Sequence, residues 1–270
     1  MSEDQTSSGP AILAVTNQKG GVGKTTTAIN LGTALAAVGR RVALIDLDPQ
    51  GNASTGLGVD ATKRETNTYD LVVGNVHLGQ ILQETRIPRL SVAPANADLA
   101  SIDMELVTDK SRVLRLRDAL KSQPDVLADL DYVLIDCPPS LNLLTINALV
   151  AAQYALVPLQ CEFFALEGLS QLMLSIREVR QSLNPELRIQ GVVLTMFDAR
   201  NNLSHQVETD VRANLGGLVY ETIIPRNVRL SEAPSHAIPA LLYDHKSSGS
   251  IAYQKLAAEL LRRMNDKVAA

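Results

Sequence analysis

The sequence predicts an α/β fold: a mostly parallel twisted sheet with helices on both faces. Three observations predict it. Short apolar, β-branched runs alternate with segments of helical spacing along nearly all of the 270 residues. The runs are continuously apolar and do not alternate with polar residues, which is typical of strands buried on both faces. A glycine-rich segment, residues 19–26, joins the first apolar run to the first helical segment.

The apolar runs are predicted as strands and the segments between them as helices. Strands are expected over residues 12–15, 42–45, 90–93, 132–135, 155–159, 189–195 and 219–224. Helices are expected over residues 25–38, 111–121, 142–151, 166–182, 204–214 and 250–264. Residues 49–88 are richer in Gly, Asn and Thr and form the least regular part.

Composition bounds the domain organisation and the partners. Residues 1–10 are polar and are predicted to be a disordered tail, and residues 11–270 a single domain without internal repeats. The net charge of −4 and the absence of Trp argue against a uniformly basic surface and against an aromatic base-stacking platform. Cys137 and Cys161 form no C-x-x-C pair, which favours core residues in a reducing cytoplasm. No apolar stretch has the roughly 18 residues of a membrane span.

Residues 19–26 read Lys-Gly-Gly-Val-Gly-Lys-Thr-Thr and are predicted to bind the phosphates of a nucleoside triphosphate. Glycines let backbone N–H groups turn toward an anion, Lys24 can reach the β- and γ-phosphates, and the Thr25 hydroxyl can bind Mg²⁺. The common pattern G-x-x-x-x-G-K-[ST] fails at its first glycine, where Gln18 stands, and a second lysine, Lys19, follows. The predicted contacts of this phosphate loop are Lys19, Gly20, Gly21, Val22, Gly23, Lys24, Thr25 and Thr26.

Carboxylates follow two of the predicted strands. Asp46 and Asp48 share one side of a strand end, an arrangement that alone fits a turn as well as it fits a site. Beside a phosphate loop, the pair favours binding of a metal and of the attacking water. Asp136 ends the fourth apolar run, where a second acidic Mg²⁺ contact is usually delivered in phosphate-loop enzymes.

Residues 224–227 read Ile-Pro-Arg-Asn and follow the last predicted strand. Pro225 can flank a purine face while the Asn227 amide bonds the purine edge. A turn in which Asn227 caps the following helix explains the same residues equally well. Both interpretations stay open, and they are compatible with each other.

Four stretches, residues 17–26, 46–52, 136–140 and 224–227, together resemble the deviant Walker A ATPases of the ParA/Soj type, which partition bacterial chromosomes and plasmids. The resemblance extends over essentially the whole chain after the tail. It implies a P-loop NTPase fold of the deviant Walker A type and Mg²⁺-dependent hydrolysis of ATP to ADP and phosphate.

The resemblance also implies roles for single residues. Lys19 would reach across an ATP sandwich dimer to the partner's phosphates, whereas Lys24 would act within its own site. Asp48 would position the attacking water close to the metal, and Asp136 would support Mg²⁺ through water, with Thr25 as direct ligand. Pro225 and Asn227 would border the adenine.

Partners follow from the same resemblance. An ATP-bound homodimer would bind double-stranded DNA of the nucleoid without sequence preference, and a ParB-type centromere-binding protein would discharge it. The candidate DNA contacts are Arg200, Arg229 and Lys246, although each considered singly fits a solvated charge. No membrane partner is expected.

The main alternative is a MinD-like ATPase that cycles on a membrane in division-site placement. Such proteins carry a C-terminal amphipathic helix. Residues 251–270 have an apolar stripe with Arg262 and Arg263, but they lack Phe and Trp, and a helix packed on the sheet explains the stripe better. An iron–sulfur protein related to the nitrogenase iron protein is disfavoured, because the cysteines lack glycine-rich surroundings.

Overall fold

The structure, a computed structural model, describes residues 9–268. Residues 1–8 of the predicted tail lie outside this part, and Pro10 is buried. Within residues 9–268 the chain forms one seven-stranded sheet in the order β3-β4-β2-β5-β1-β6-β7. All neighbouring strands are parallel except β3, which pairs antiparallel with β4. The strands are β1 Ala11–Val15, β2 Val42–Asp46, β3 Gln83–Glu84, β4 Leu90–Ala93, β5 Tyr132–Asp136, β6 Tyr154–Gln160 and β7 Arg188–Thr195.

The helices of the described part connect these strands. They are α1 Lys24–Ala37, α2 Asn52–Gly56, α3 Thr68–Val73, α4 Leu78–Ile81, α5 Ile102–Glu105, α6 Arg115–Lys121, α7 Pro124–Ala128, α8 Leu143–Ala151, α9 Ala165–Ser182, α10 Asn202–Leu215, α11 Val228–Glu232, α12 Ala240–Tyr243 and α13 Ser248–Val268. Short 3₁₀ turns cover Ala61–Lys63, Ala97–Ser101, Arg112–Leu114, Gly216–Leu218 and Ala233–His236. No helix within residues 9–268 is both long and apolar enough to cross a membrane.

The sheet is covered on both faces, as the continuously apolar runs predict. Along β1, Leu13 and Val15 join a buried cluster with residues of α1 and α13, while Ile12 and Ala14 join a second cluster with residues of α8 and α9. Because successive strand side chains point to opposite faces, one strand contributes to two cores. This double burial fixes the sheet and holds its carboxyl edge, where the loops with the candidate residues begin.

The predicted strand over residues 219–224 is wrong. Instead of a continuous ladder with β7, only two isolated bridges flank this segment, Val192 with Val219 and Phe197 with Pro225. Its middle N–H groups, those of Glu221 and Thr222, each donate to the carboxylate of Glu259 on α13 at 2.9 Å. A buried carboxylate therefore takes the place of a neighbouring strand. The sheet contains instead a strand that was not predicted, the two-residue β3, which lies in the segment predicted to be irregular.

Candidate nucleotide site

The phosphate loop, residues 19–26, runs from β1 into the first turn of α1. Gly21 and Gly23 have φ angles of +76° and +86°, which side chains with a Cβ rarely adopt. Gly23 is the N-cap of α1, and its carbonyl accepts the first helical bond from Thr27 N at 2.8 Å. The N–H groups of the first turn are therefore left for an anion, as the sequence predicts.

Lys24 is buried at the base of the loop and is 6% exposed. Its Nζ donates to the Lys19 carbonyl at 2.8 Å, so the ammonium closes the loop on itself. Burial lowers the pKa of Lys24, and the nearby Asp136 and Asp48 carboxylates oppose that shift. An ammonium has three donors, so an incoming phosphate oxygen can use those that the Lys19 carbonyl does not.

Lys19 behaves differently. Its side chain is exposed, and its ammonium forms an ion pair with Glu162, in the loop between β6 and α9. Its backbone N–H donates to Asn17 Oδ1 at 3.0 Å, which holds the start of the loop. Lys24 is thus the lysine whose ammonium is influenced by the charges of Asp48 and Asp136, whereas Lys19 is paired with Glu162.

Asp46 and Asp48 are not an equivalent pair. The Asp46 carboxylate is fully buried and accepts from Ser54 N at 2.8 Å, from Ser54 Oγ at 2.7 Å and from Asp48 N at 3.1 Å. Burial raises the pKa of Asp46 to about 6, although these hydrogen bonds oppose the shift. The Asp48 carboxylate accepts a hydrogen bond only from Gln50 N, at 3.0 Å, among the described residues. Asp46 therefore fixes α2, and Asp48 keeps an oxygen for a ligand.

The surroundings of Asp136 show whether a metal ion fits this site. Both of its oxygens are buried, and within residues 9–268 neither meets hydrogen-bond geometry with a partner. Burial raises its pKa well above the usual value, and the Asp46 and Asp48 charges add to this, while the Thr25 hydroxyl and the Lys24 ammonium oppose it. A buried carboxylate that has the Thr25 hydroxyl and the Lys24 ammonium nearby, and no well-formed hydrogen bond within the described residues, fits a cation with oxygen ligands such as Mg²⁺.

No group of three or more His, Cys, Asp or Glu side chains in the described part is arranged to hold a metal by itself. Mg²⁺ at such a site typically uses few protein ligands and takes the rest from phosphates and water. The predicted set of Thr25, Asp48 and Asp136 is consistent with this pattern of shared ligation.

A cavity of about 380 Å³ opens beside the phosphate loop, and its lining includes Gly23 and Thr26 of that loop as well as Pro225 and Asn227. Asn227 Oδ1 accepts from Arg229 N at 2.8 Å and caps α11, which confirms the helix-cap interpretation. Asn227 also lines the cavity, and its contact with the adenine stays a prediction.

The three candidate DNA contacts lie in two places. Arg200 precedes α10 and forms two hydrogen bonds to Asp198, at 3.0 and 2.9 Å. Arg229 donates to Glu232 at 2.8 Å, and Lys246 is exposed a few residues after the end of α12. Both arginines are thus ion-paired within the chain, and any contact of theirs with DNA would have to compete with these carboxylates.

Comparison with known proteins gives the chain a family. A family model described as an AAA domain matches residues 10–189. The chromosome partitioning protein ParA of Caulobacter vibrioides is 60% identical over 260 residues, which cover 96% of this chain and 96% of that protein. The chain belongs to the ParA/Soj family. The sporulation initiation inhibitor protein Soj of Bacillus subtilis is 52% identical, over 92% of this chain and 97% of that protein.

The ParA/Soj fold is also seen in solved structures. A Mycobacterium smegmatis protein described as cobyrinic acid a,c-diamide synthase, with bound ADP and magnesium, is 39% identical and superposes with a TM-score of 0.82. The match covers 95% of this chain and 96% of that one. This confirms the predicted mostly parallel sheet with helices on both faces.

Several residues of this ParA/Soj-family site were not predicted from the sequence. Glu162 is one, because its contact with Lys19 joins residues 143 positions apart and no local pattern signals it. Met196 and Tyr253 line the cavity, and Met196 has a φ of +51°, which strains a residue with a side chain. Met196 directly follows β7, and residues at the carboxyl edge of a parallel sheet commonly line a ligand site. That position is the sequence feature from which Met196 could have been predicted.

Proposed function

We infer that this chain is a DNA-partitioning ATPase whose two states are set by the bound nucleotide. ATP and Mg²⁺ bind at the phosphate loop, two copies dimerise around the nucleotide, and the dimer binds duplex DNA without sequence preference. Hydrolysis, stimulated by a ParB-type partner, releases the DNA. Residues 11–270 act as one ATPase domain in the cytoplasm, on the nucleoid.

The observation that carries this proposal is the meeting of three features at one sheet edge. The glycine loop presents free N–H groups at the start of α1, and a cavity beside Gly23 has room for a base. Asp136 offers a buried carboxylate that forms no well-aligned hydrogen bond within residues 9–268. Relatives at 60% and 52% identity that are named ParA and Soj support partitioning as the use of this site.

The residues divide the work of hydrolysis. Lys24 neutralises phosphate charge within its own site, and Lys19 supplies a second cation to the partner's nucleotide once dimerisation frees it from Glu162. Asp48, with the oxygen that Gln50 leaves available, orients the attacking water. Thr25, Asp48 and Asp136 would hold Mg²⁺, which supplies charge neutralisation on the phosphates when bound.

The decisive experiment is co-sedimentation with duplex DNA and, in parallel, with anionic liposomes, each with ATP or ADP. We expect pelleting with DNA in ATP only, with a steep loss as salt rises because the contacts are to phosphates. Pelleting with liposomes and not with DNA would favour the MinD-like alternative. Pelleting with neither, by a protein that binds ATP, would contradict the proposal.

A variant pair sharpens this test. Asp48→Ala is expected to keep ATP binding and to stay on DNA, because little ATP is hydrolysed. Asp103→Ala removes an exposed carboxylate of α5 as the matched control and should behave as wild type. Wild-type turnover in Asp48→Ala would remove Asp48 from the mechanism.

A further inference from the structure

Two of the chain's three phenylalanines are exposed side by side. Phe163 is 75% exposed and Phe164 61%, in the loop that leads from β6 into α9. Their rings meet edge to face, with centroids 5.1 Å apart and planes at 87°. The two rings hold each other in place, so a partner that buries them loses less side-chain entropy than it would with mobile side chains.

The aromatic pair adjoins the phosphate loop. Glu162, directly before Phe163, holds the Lys19 ammonium in an ion pair. On the other side of the loop, a Cβ built on Gly20 would lie 3.8 Å from Pro139. The loops after β5, β1 and β6, which are neighbouring strands, therefore form one surface. We call the exposed residues 19–21, 139–141 and 163–164 the loop face.

The loop face exposes three large apolar side chains, those of Phe163, Phe164 and Leu141. Leu141 is 40% exposed in the loop after β5, and the two rings lie in the loop after β6, on the far side of β1 in the strand order. Exposed aromatic and aliphatic groups around a polar centre are typical of protein interfaces, where buried aromatic anchors supply most of the binding energy.

The charges of the loop face select its occupant. Lys19 is the face's one cation among residues 19–21, 139–141 and 163–164, whereas a nucleic acid or an anionic lipid surface would require a basic cluster. With ATP bound, each copy presents both a triphosphate and a lysine. A twofold arrangement pairs such a surface with itself, because residues of one patch meet the same patch on the other copy.

We propose that Phe163 and Phe164 anchor a second copy of this chain on the loop face. The inference rests on the proposed function, which requires an ATP-bound dimer, and it adds the residues that hold that dimer together. Removing a buried aromatic anchor typically raises a dissociation constant about tenfold or more, so each ring should contribute about that factor.

The test compares F163S/F164S with wild type by light scattering after size exclusion, with a slowly hydrolysed ATP analogue, and by fluorescent ATP binding. Met104→Ser removes an apolar side chain that is 74% exposed on α5, outside the loop face, and is the matched control. F163Y/F164Y keeps both rings. We expect a dimer for wild type, Met104→Ser and F163Y/F164Y, and a monomer that still binds the analogue for F163S/F164S.

An F163S/F164S protein that dimerises as wild type does would overturn the inference. The same holds if it dimerises normally but loses stimulation by the centromere-binding protein, since the rings would then serve that partner. A wild-type protein that binds the analogue and stays monomeric would refute the dimer of the proposed function itself, so the two failures are distinguishable.

Discussion

Asp136→Asn should stabilise the nucleotide-free protein and weaken its response to ATP and Mg²⁺. In the free protein, Asp136 is a fully buried carboxyl whose oxygens lack hydrogen-bond partners within the described part of the chain. Burial raises its pKa well above 3.8. Each unit of that rise costs the folded state about 1.4 kcal/mol at a pH where the carboxyl is ionised in both states.

The pH dependence gives the prediction its sign. Because the folded pKa lies above the unfolded one, the stability due to this carboxyl is complete below about pH 4 and is lost as the pH rises through the folded pKa. The advantage of Asp136→Asn over wild type should therefore grow by about 1.4 kcal/mol per pH unit above about pH 4. It should level off once the folded carboxyl is ionised.

The assay is thermal unfolding from about pH 5 to about pH 8, with and without ATP and Mg²⁺. For a chain of this size, 1 kcal/mol corresponds to about 2–4 °C in Tm. Saturating nucleotide at about 100 times Kd should stabilise wild type by about 2.7 kcal/mol, and most of this should be lost in Asp136→Asn. Asp125→Asn, at an exposed site on α7, is the control. A lower Tm of the free variant, or an undiminished response to ATP and Mg²⁺, would refute the reasoning.

Three further predictions concern the loop face and the sheet edge. Gly20→Val should bind ATP and remain monomeric in light scattering, since its Cβ meets nothing closer than 3.8 Å within its own chain, and an ATP-dependent dimer would contradict this. Glu162→Gln should free Lys19 and lower the dimer dissociation constant by less than about fivefold, because partly exposed ion pairs contribute at most about 1 kcal/mol. A weaker dimer would show that Glu162 supports the interface. Glu259→Gln should lower the free energy of unfolding in urea by about 2 kcal/mol, since it loses a charged acceptor of two N–H groups. Glu221→Gln, at an 81% exposed side chain, should change it little, and equal effects would count against the role of Glu259.

The fold and the phosphate loop could be predicted from sequence because their signals are local. Gly21 and Gly23 stand where the chain needs positive φ, and a buried strand leads into Asp136 without a break. Apolar periodicity likewise placed the six predicted helices to within a few residues of their observed bounds.

The remaining features depend on contacts between distant residues. Asp46 and Asp48 look alike in sequence, and only the position of Ser54 shows that Asp46 is a structural acceptor. Residues 219–224 have the composition of a strand, but their N–H groups find Glu259, which lies 37 and 38 positions later than its two donors. No local pattern reports such pairings.

The way in which the sheet ends limits how these molecules can assemble. At one margin, β3 has only two residues to offer to a neighbouring chain. At the other, the carbonyls of Val192 and Leu194 already accept the N–H groups of Tyr220 and Ile224. Strand addition from molecule to molecule is thus disfavoured at both edges of the sheet. Any filament along a chromosome would have to assemble through side-chain contacts and not through backbone pairing of strands. Its disassembly would then require only that those side-chain contacts separate.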